Sequence, residues 1–263
     1  MTSLDTISDT AVATQTPTPS RRLVRTSTSD RAIAWTAALF LIVGSLLFLA
    51  GGRAHPVISS ALGGDASQFF VAFAAKVRST HDWHAMHMMI LVGPLFWALA
   101  APTLLDVLRA EARVLAAVAR SALVLSAALW AVAFVLDGFG APVYAAAMAD
   151  MSRQDMTATI TDFAANAIVM SRLGLLSLVV GGIGIVVIGV ALLGSELRTP
   201  WRIVVGASGI LIGIWPLFAA LQGEYAGGPF TSEYWRVNAI AIAAWFVGFG
   251  ACAFGRAPED RMT

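Results

Sequence analysis

The chain has 263 residues, 58% of them apolar and 13% charged, with a mean hydropathy of +0.76 and a formal net charge of +1. A soluble domain is nearer half apolar and one-quarter charged, so this composition excludes a soluble globular protein, a disordered chain and a nucleic-acid binder. A bilayer core of about 30 Å takes about 20 apolar residues per helical crossing, and six such runs use up most of the length. The single cysteine, Cys252, excludes an intrachain disulfide. The fold expected is therefore all-α: a polytopic integral membrane protein of six transmembrane helices with an interfacial helical cap on the outer face.

Residues 1–31 are rich in Ser, Thr, Pro and Asp and carry Arg21, Arg22, Arg25 and Arg31, which predicts a disordered cytoplasmic tail. The first apolar run, 32–50, follows a tail far longer than a signal-peptide n-region and lacks an Ala-x-Ala site, so it is predicted as a retained helix. The other runs are 86–105, 114–136, 173–193, 203–221 and 237–254, giving a membrane domain over 32–255 and a short cytoplasmic tail over 256–263. Eleven of the basic residues flank one side and six the other, which puts both termini in the cytoplasm. Sixteen Arg against the lone Lys76 is the usage of a GC-rich coding sequence, pointing to a bacterial-type plasma membrane.

Two long outer segments join these runs. Over 67–78, Phe69, Phe70, Phe73 and Val77 fall on one helical face, predicting a helix lying in the interface. Residues 137–165 open with Gly138, Gly140 and Pro142 and read as a loop followed by one or two short amphipathic helices. Pro94–Leu99 and Pro216–Leu221 echo one another weakly, as the halves of an inverted-repeat transporter would.

The segment His81-Asp82-Trp83-His84-Ala85-Met86-His87-Met88-Met89 leads into the second run from the outer side, where His55 also falls. His with Met suits copper, His with carboxylate suits zinc or non-haem iron, and two His from neighbouring helices can ligate haem. Candidate metal ligands are thus His81, His84 and His87. A spacing of three turns a helix by about 300°, so all three cannot face one ion; two of them, joined by His55 or an acid from another helix, is the largest set available. Histidines beside Trp83 also fit an interfacial belt, and a Met cluster is most often gap-filling core.

Each remaining run adds polar groups at the same end. Asp137 ends the third, and Glu224 sits among glycines after the fifth; both are candidate catalytic acids or proton carriers. His55, Arg172, Tyr225 and Arg236 are candidate cofactor-binding groups, with Asn166, Gln222, Tyr234 and Asn238 nearby. The bland alternatives are a solvated helix end for Asp137, a turn for Glu224, and snorkelling for Arg172 and Arg120. Since polar groups at membrane depth face a bundle interior or water, an outward-facing chamber is expected.

Three function classes fit. The clustering of three histidines within seven residues ranks first a metal- or haem-binding redox protein, with copper, zinc or haem iron as cofactor. A metal-free membrane enzyme acting on a lipid or isoprenoid-like substrate by acid catalysis, and a small-solute transporter or pH-dependent sensor, remain alternatives. The partners implied are the lipid bilayer and a small-molecule or lipid substrate, with no nucleic acid.

Overall fold

The computed structural model describes residues 28–55, 66–108, 112–149, 151, 155–194, 199–225 and 232–254, with side chains outside 66–67 and 219–236. Of the tail expected over 1–31, residues 28–31 are already helical, while 1–27 and the tail expected over 256–263 lie outside the described residues. Within them there is no strand, and the elements are α1 (Thr28–Ala54), α2 (Ala66–Ser79), α3 (Trp83–Leu108), α4 (Arg113–Val135), a π-turn (Leu136–Gly140), α5 (Ala141–Ala147), α6 (Met156–Leu193), α7 (Pro200–Tyr225) and α8 (Ser232–Ala251).

Five stretches are long and apolar enough to cross a membrane: α1, α3, the run Arg113–Ala147, α6, and Pro200–Phe218 of α7. The sixth expected run coincides with α8, whose apolar part Val237–Ala251 is shorter than those five. Many large apolar side chains are exposed, among them Val114 at 77%, Leu211 at 73% and Val143 at 67%. Acyl chains solvate such a surface and water does not, so this is a multi-pass membrane protein.

Between apolar helices in an apolar solvent, association rests on close van der Waals packing, and small residues permit it. α1 lies on α3 where a Cβ at Gly93 would stand 2.8 Å from the Gly44 carbonyl oxygen. α6 lies on α7 in the same way, a Cβ at Gly189 falling 2.6 Å from the Gly206 carbonyl oxygen. Leu41, Leu104, Phe246 and Phe249 fill the centre among these contacts.

Three sequence expectations change. The segment expected to open as a loop at 137 is helical from its start, the chain running through the π-turn into α5, and helix is present again from Met156. At 1.5 Å per residue, the 38 residues of α6 extend about 57 Å, well past a bilayer core. The helix predicted over 67–78 forms as α2, yet Phe70, Ala74 and Val77 bury against Trp83, Met86, Ala145 and Phe163, with Phe69 and Phe73 partly buried. Arg78 fixes it further, donating from Nη1 to the Ala145 carbonyl at 2.7 Å. Arg120, expected to snorkel, donates to Asp106 Oδ2 at 2.8 Å.

Candidate metal centre

The buried face of α4, Ala116, Ala119, Leu123, Ala127, Trp130 and Ala133, leads directly to Asp137. There the helix changes register: the Ala141 N–H donates to the carbonyl of Leu136, five residues back. The extra residue of a π-turn brings both Asp137 and Gly138 onto the buried face. Pro142 follows without an N–H, so the carbonyls in this turn have one intrahelical donor fewer. Two of them are satisfied from α3: Trp83 Nε1 donates to the Asp137 carbonyl at 3.2 Å, and His84 Nδ1 to the Gly138 carbonyl at 2.8 Å. The glycine-proline signature that reads as a loop is in fact a helix defect stitched to its neighbour.

Gly138 is needed for that contact. A Cβ at this position would lie 2.8 Å from His87 Cβ and 3.1 Å from Cγ, so only hydrogen lets the π-turn reach the histidine. A matching approach seats the third residue. α1 passes so near α3 that a Cβ at Gly51 would stand 2.6 Å from the Met86 carbonyl oxygen, and His55 continues the helical hydrogen bonding by donating its N–H to Gly51 at 2.9 Å. Its ring then sits 5.0 Å from that of His87 and 5.6 Å from that of Trp83.

Together these approaches assemble His55, His87 and Asp137, whose ligand atoms all lie within 4.8 Å of one another. Asp137 Oδ2 is 3.0 Å from His87 Nε2 and 3.5 Å from His55 Nε2. The His87 side chain is 1% exposed, that of Asp137 11% and that of His55 29%, so the group opens to its surroundings on the His55 side. Asp137 Oδ1 is buried and accepts no hydrogen bond among the described residues. Trp83 lies against His87 with ring centres 4.6 Å apart and planes tilted by 34°, and Phe73 of α2 meets Trp83 edge-on at 5.8 Å, bringing α2 to the margin of the group.

The hydrogen bonding of His87 shows what this arrangement requires. Its Nδ1 lies 2.6 Å from the Trp83 carbonyl oxygen, which only accepts, so Nδ1 carries a proton, and in a neutral ring the lone pair of Nε2 then points outward. That lone pair faces a carboxylate oxygen, which also has only lone pairs to offer. The two repel unless a cation lies between them, either a second ring proton or a metal ion. A backbone carbonyl holding the far nitrogen is also the usual outer support of a metal-binding histidine.

Distances favour the ion as well as the proton. Ligands roughly 2.0–2.1 Å from tetrahedral zinc stand about 3.3 Å from each other, and the observed 3.0 and 3.5 Å bracket that separation. Three protein ligands of this kind leave a coordination position open, as in sites that bind and activate a small molecule.

Of the residues singled out in the sequence, the structure gathers His55, His87 and Asp137. His84 is exposed, occupied with the Gly138 carbonyl and stacked on Phe139 at 5.1 Å. His81 is exposed in the turn before α3, and Arg172 is exposed on α6; neither belongs to the group. Glu224 and Tyr225 end α7 and Arg236 lies in the first turns of α8, but their side chains are outside the described residues. Met86 is buried between α2 and α5 and Met88 is exposed, so neither thioether belongs to the group. Sequence reasoning passed over Trp83 as a belt residue and Gly138 as a turn. The available signal was spacing: Trp83 is four residues before His87, where a helical carbonyl meets a side chain.

No known family model, curated protein or solved structure matches this chain.

Proposed function

We propose that this is a membrane metalloprotein whose outer face carries one divalent metal ion held by His55 Nε2, His87 Nε2 and Asp137. The observation that carries the reading is the convergence of His87 Nε2 on Asp137 Oδ2 at 3.0 Å, with the second imidazole 3.5 Å from the same oxygen. Two imidazoles and one carboxylate, with no thiolate or thioether, suit zinc or ferrous iron better than cuprous copper. An isolated ion suits the space better than haem, because the carboxylate occupies the gap between the imidazoles that a macrocycle would need. The open coordination position supports a reactive centre, with water or substrate reaching it past His55.

In this reading α8 is the sixth crossing, both termini are cytoplasmic, and α2 caps the outer end through Phe73, Val77 and Arg78. A protected centre just inside the bilayer boundary fits a substrate that approaches from the lipid or from the outer aqueous phase. Anaerobic titration of the detergent-purified full chain with Zn²⁺ and with Fe²⁺, followed by calorimetry, tests the ligand set. One ion per chain, lost in His55→Ala and His87→Ala, is expected; binding that survives both substitutions refutes it.

A further inference from the structure

A second polar site lies deeper in the bundle and shares no residue with the outer group. Five helices, α1, α3, α4, α6 and α8, surround a central cavity of about 50 Å³. The rings of Phe48, Trp97, Trp130 and Phe246 form much of its wall, and Ser126, Ser177, Asn238 and the indole N–H of Trp130 supply polar atoms. Ser126 is eleven residues before Asp137 along the α4 run, so the site sits about 16 Å further in.

The protons of the two serines are already committed. Ser126 Oγ donates to the Ser177 carbonyl at 2.8 Å, and Ser177 Oγ donates to the Ser126 carbonyl at 2.7 Å. Each hydroxyl has one proton, so what both retain is lone pairs. Asn238 was expected among outer-end groups, yet it is 2% exposed at the cavity and its Oδ1 accepts no hydrogen bond among the described residues. A buried amide oxygen without a donor is costly, more so at membrane depth. The cavity thus sets acceptors beside the indole of Trp130, which suits a small molecule that gives a proton to Asn238 Oδ1 and can accept one as well.

Size and charge narrow the occupant. A water needs roughly 10–15 Å³ of such space, so the cavity takes a few waters; a benzene-sized guest needs about 150 Å³. No acidic or basic side chain is among the described residues that line it, which disfavours a cation. We propose that the cavity is a binding site for a small neutral hydrogen-bond donor, namely water, with an O–H given to Asn238 Oδ1 and further contacts to Ser126 and Ser177.

Asn166 and Asn238 are the only asparagines in the chain, so selective ¹³C labelling gives two side-chain carbonyl signals that Asn166→Gln assigns. In full-length wild type in bilayers, magic-angle-spinning NMR with magnetisation started on water is expected to show direct transfer to Asn238 Cγ. In the near-isosteric Asn238→Leu, whose Leu is labelled instead, the corresponding transfer to the new side chain is lost. If wild-type Asn238 is polarised only from lipid acyl protons, a lipid-borne group fills the site and the proposal fails. If it is polarised from neither source, the cavity is dry and the proposal also fails. The decisive reading is taken on wild type and does not depend on a variant folding.

Discussion

Gly138→Ala tests whether a single missing methyl group sets the geometry of the centre. The added Cβ would lie 2.8 Å from His87 Cβ, so the π-turn and α3 must separate by about 0.6 Å to reach the short end of ordinary van der Waals contact. Overpacking of this kind costs roughly 1–3 kcal/mol. The same displacement carries the His87–Asp137 distance from 3.0 Å toward the upper limit one ion can bridge, while ligand positions in working sites are held to about 0.2 Å. Zinc affinity is expected to fall about 10- to 100-fold, which is about 1.4–2.8 kcal/mol of binding free energy. The assay is chelator competition on detergent-purified protein, with thermal unfolding of the metal-free form in parallel. An alanine variant with wild-type zinc affinity and an unchanged Tm would refute the close approach as the positioning element.

Asp137→Asn separates the metal reading from a simple ion pair. An amide N–H can donate to the His87 Nε2 lone pair, so the metal-free variant is expected to gain about 1 kcal/mol, a rise in Tm of about 2–4 °C, while losing metal. A metal-free variant destabilised by several kcal/mol would show instead that His87 is a permanently charged partner of the carboxylate. His84→Ala removes the donor to the Gly138 carbonyl and is expected to cost about 1 kcal/mol in thermal stability while keeping one metal per chain by elemental analysis; loss of metal would make His84 a ligand. Because the imidazoles bind metal through unprotonated nitrogen, affinity should rise with pH, and calorimetry in buffers of different ionisation enthalpy should detect proton release on binding. Affinity flat in pH with no proton release would contradict that ligand set. Gly189→Leu drives a side chain into the Gly206 carbonyl and should abolish monodisperse folded protein in detergent by size exclusion; a wild-type elution profile would show that α6 and α7 are not held by that approach.

Hydropathy made the main helices legible, because a run long enough to cross hydrocarbon has no other use in a chain this poor in charge. It failed at 137–165 for a local reason. Gly138, Gly140 and Pro142 punctuate turns in water, and nothing in their order reveals that Trp83 and His84 donate to the carbonyls of Asp137 and Gly138. The polar residues Asp162 and Asn166 likewise disguise the N-terminal part of α6, a helix longer than a bilayer core requires. Within the histidine segment, the 300° turn per three residues spreads the three rings, and among the described residues only His87 of the three joins His55 and Asp137. Choosing His87, and pairing it with His55 rather than its sequence neighbours, requires the glycine-mediated approach of α1 to α3 and of α4 to α3, contacts between residues far apart in the chain. Asn238 was visible only as one polar residue near a helix start; its depth depends on how α8 packs.

The central claim is tested most directly by elemental analysis of the full-length protein purified without chelators from zinc- and iron-replete cells, beside Asp137→Asn prepared identically. One zinc or iron per wild-type chain, absent from the variant while its helical content is unchanged, is the predicted result. Wild-type protein that contains no divalent metal, and takes up none when equilibrated with excess Zn²⁺ or with Fe²⁺ under argon, would contradict it and leave His55, His87 and Asp137 as a proton-bridged group.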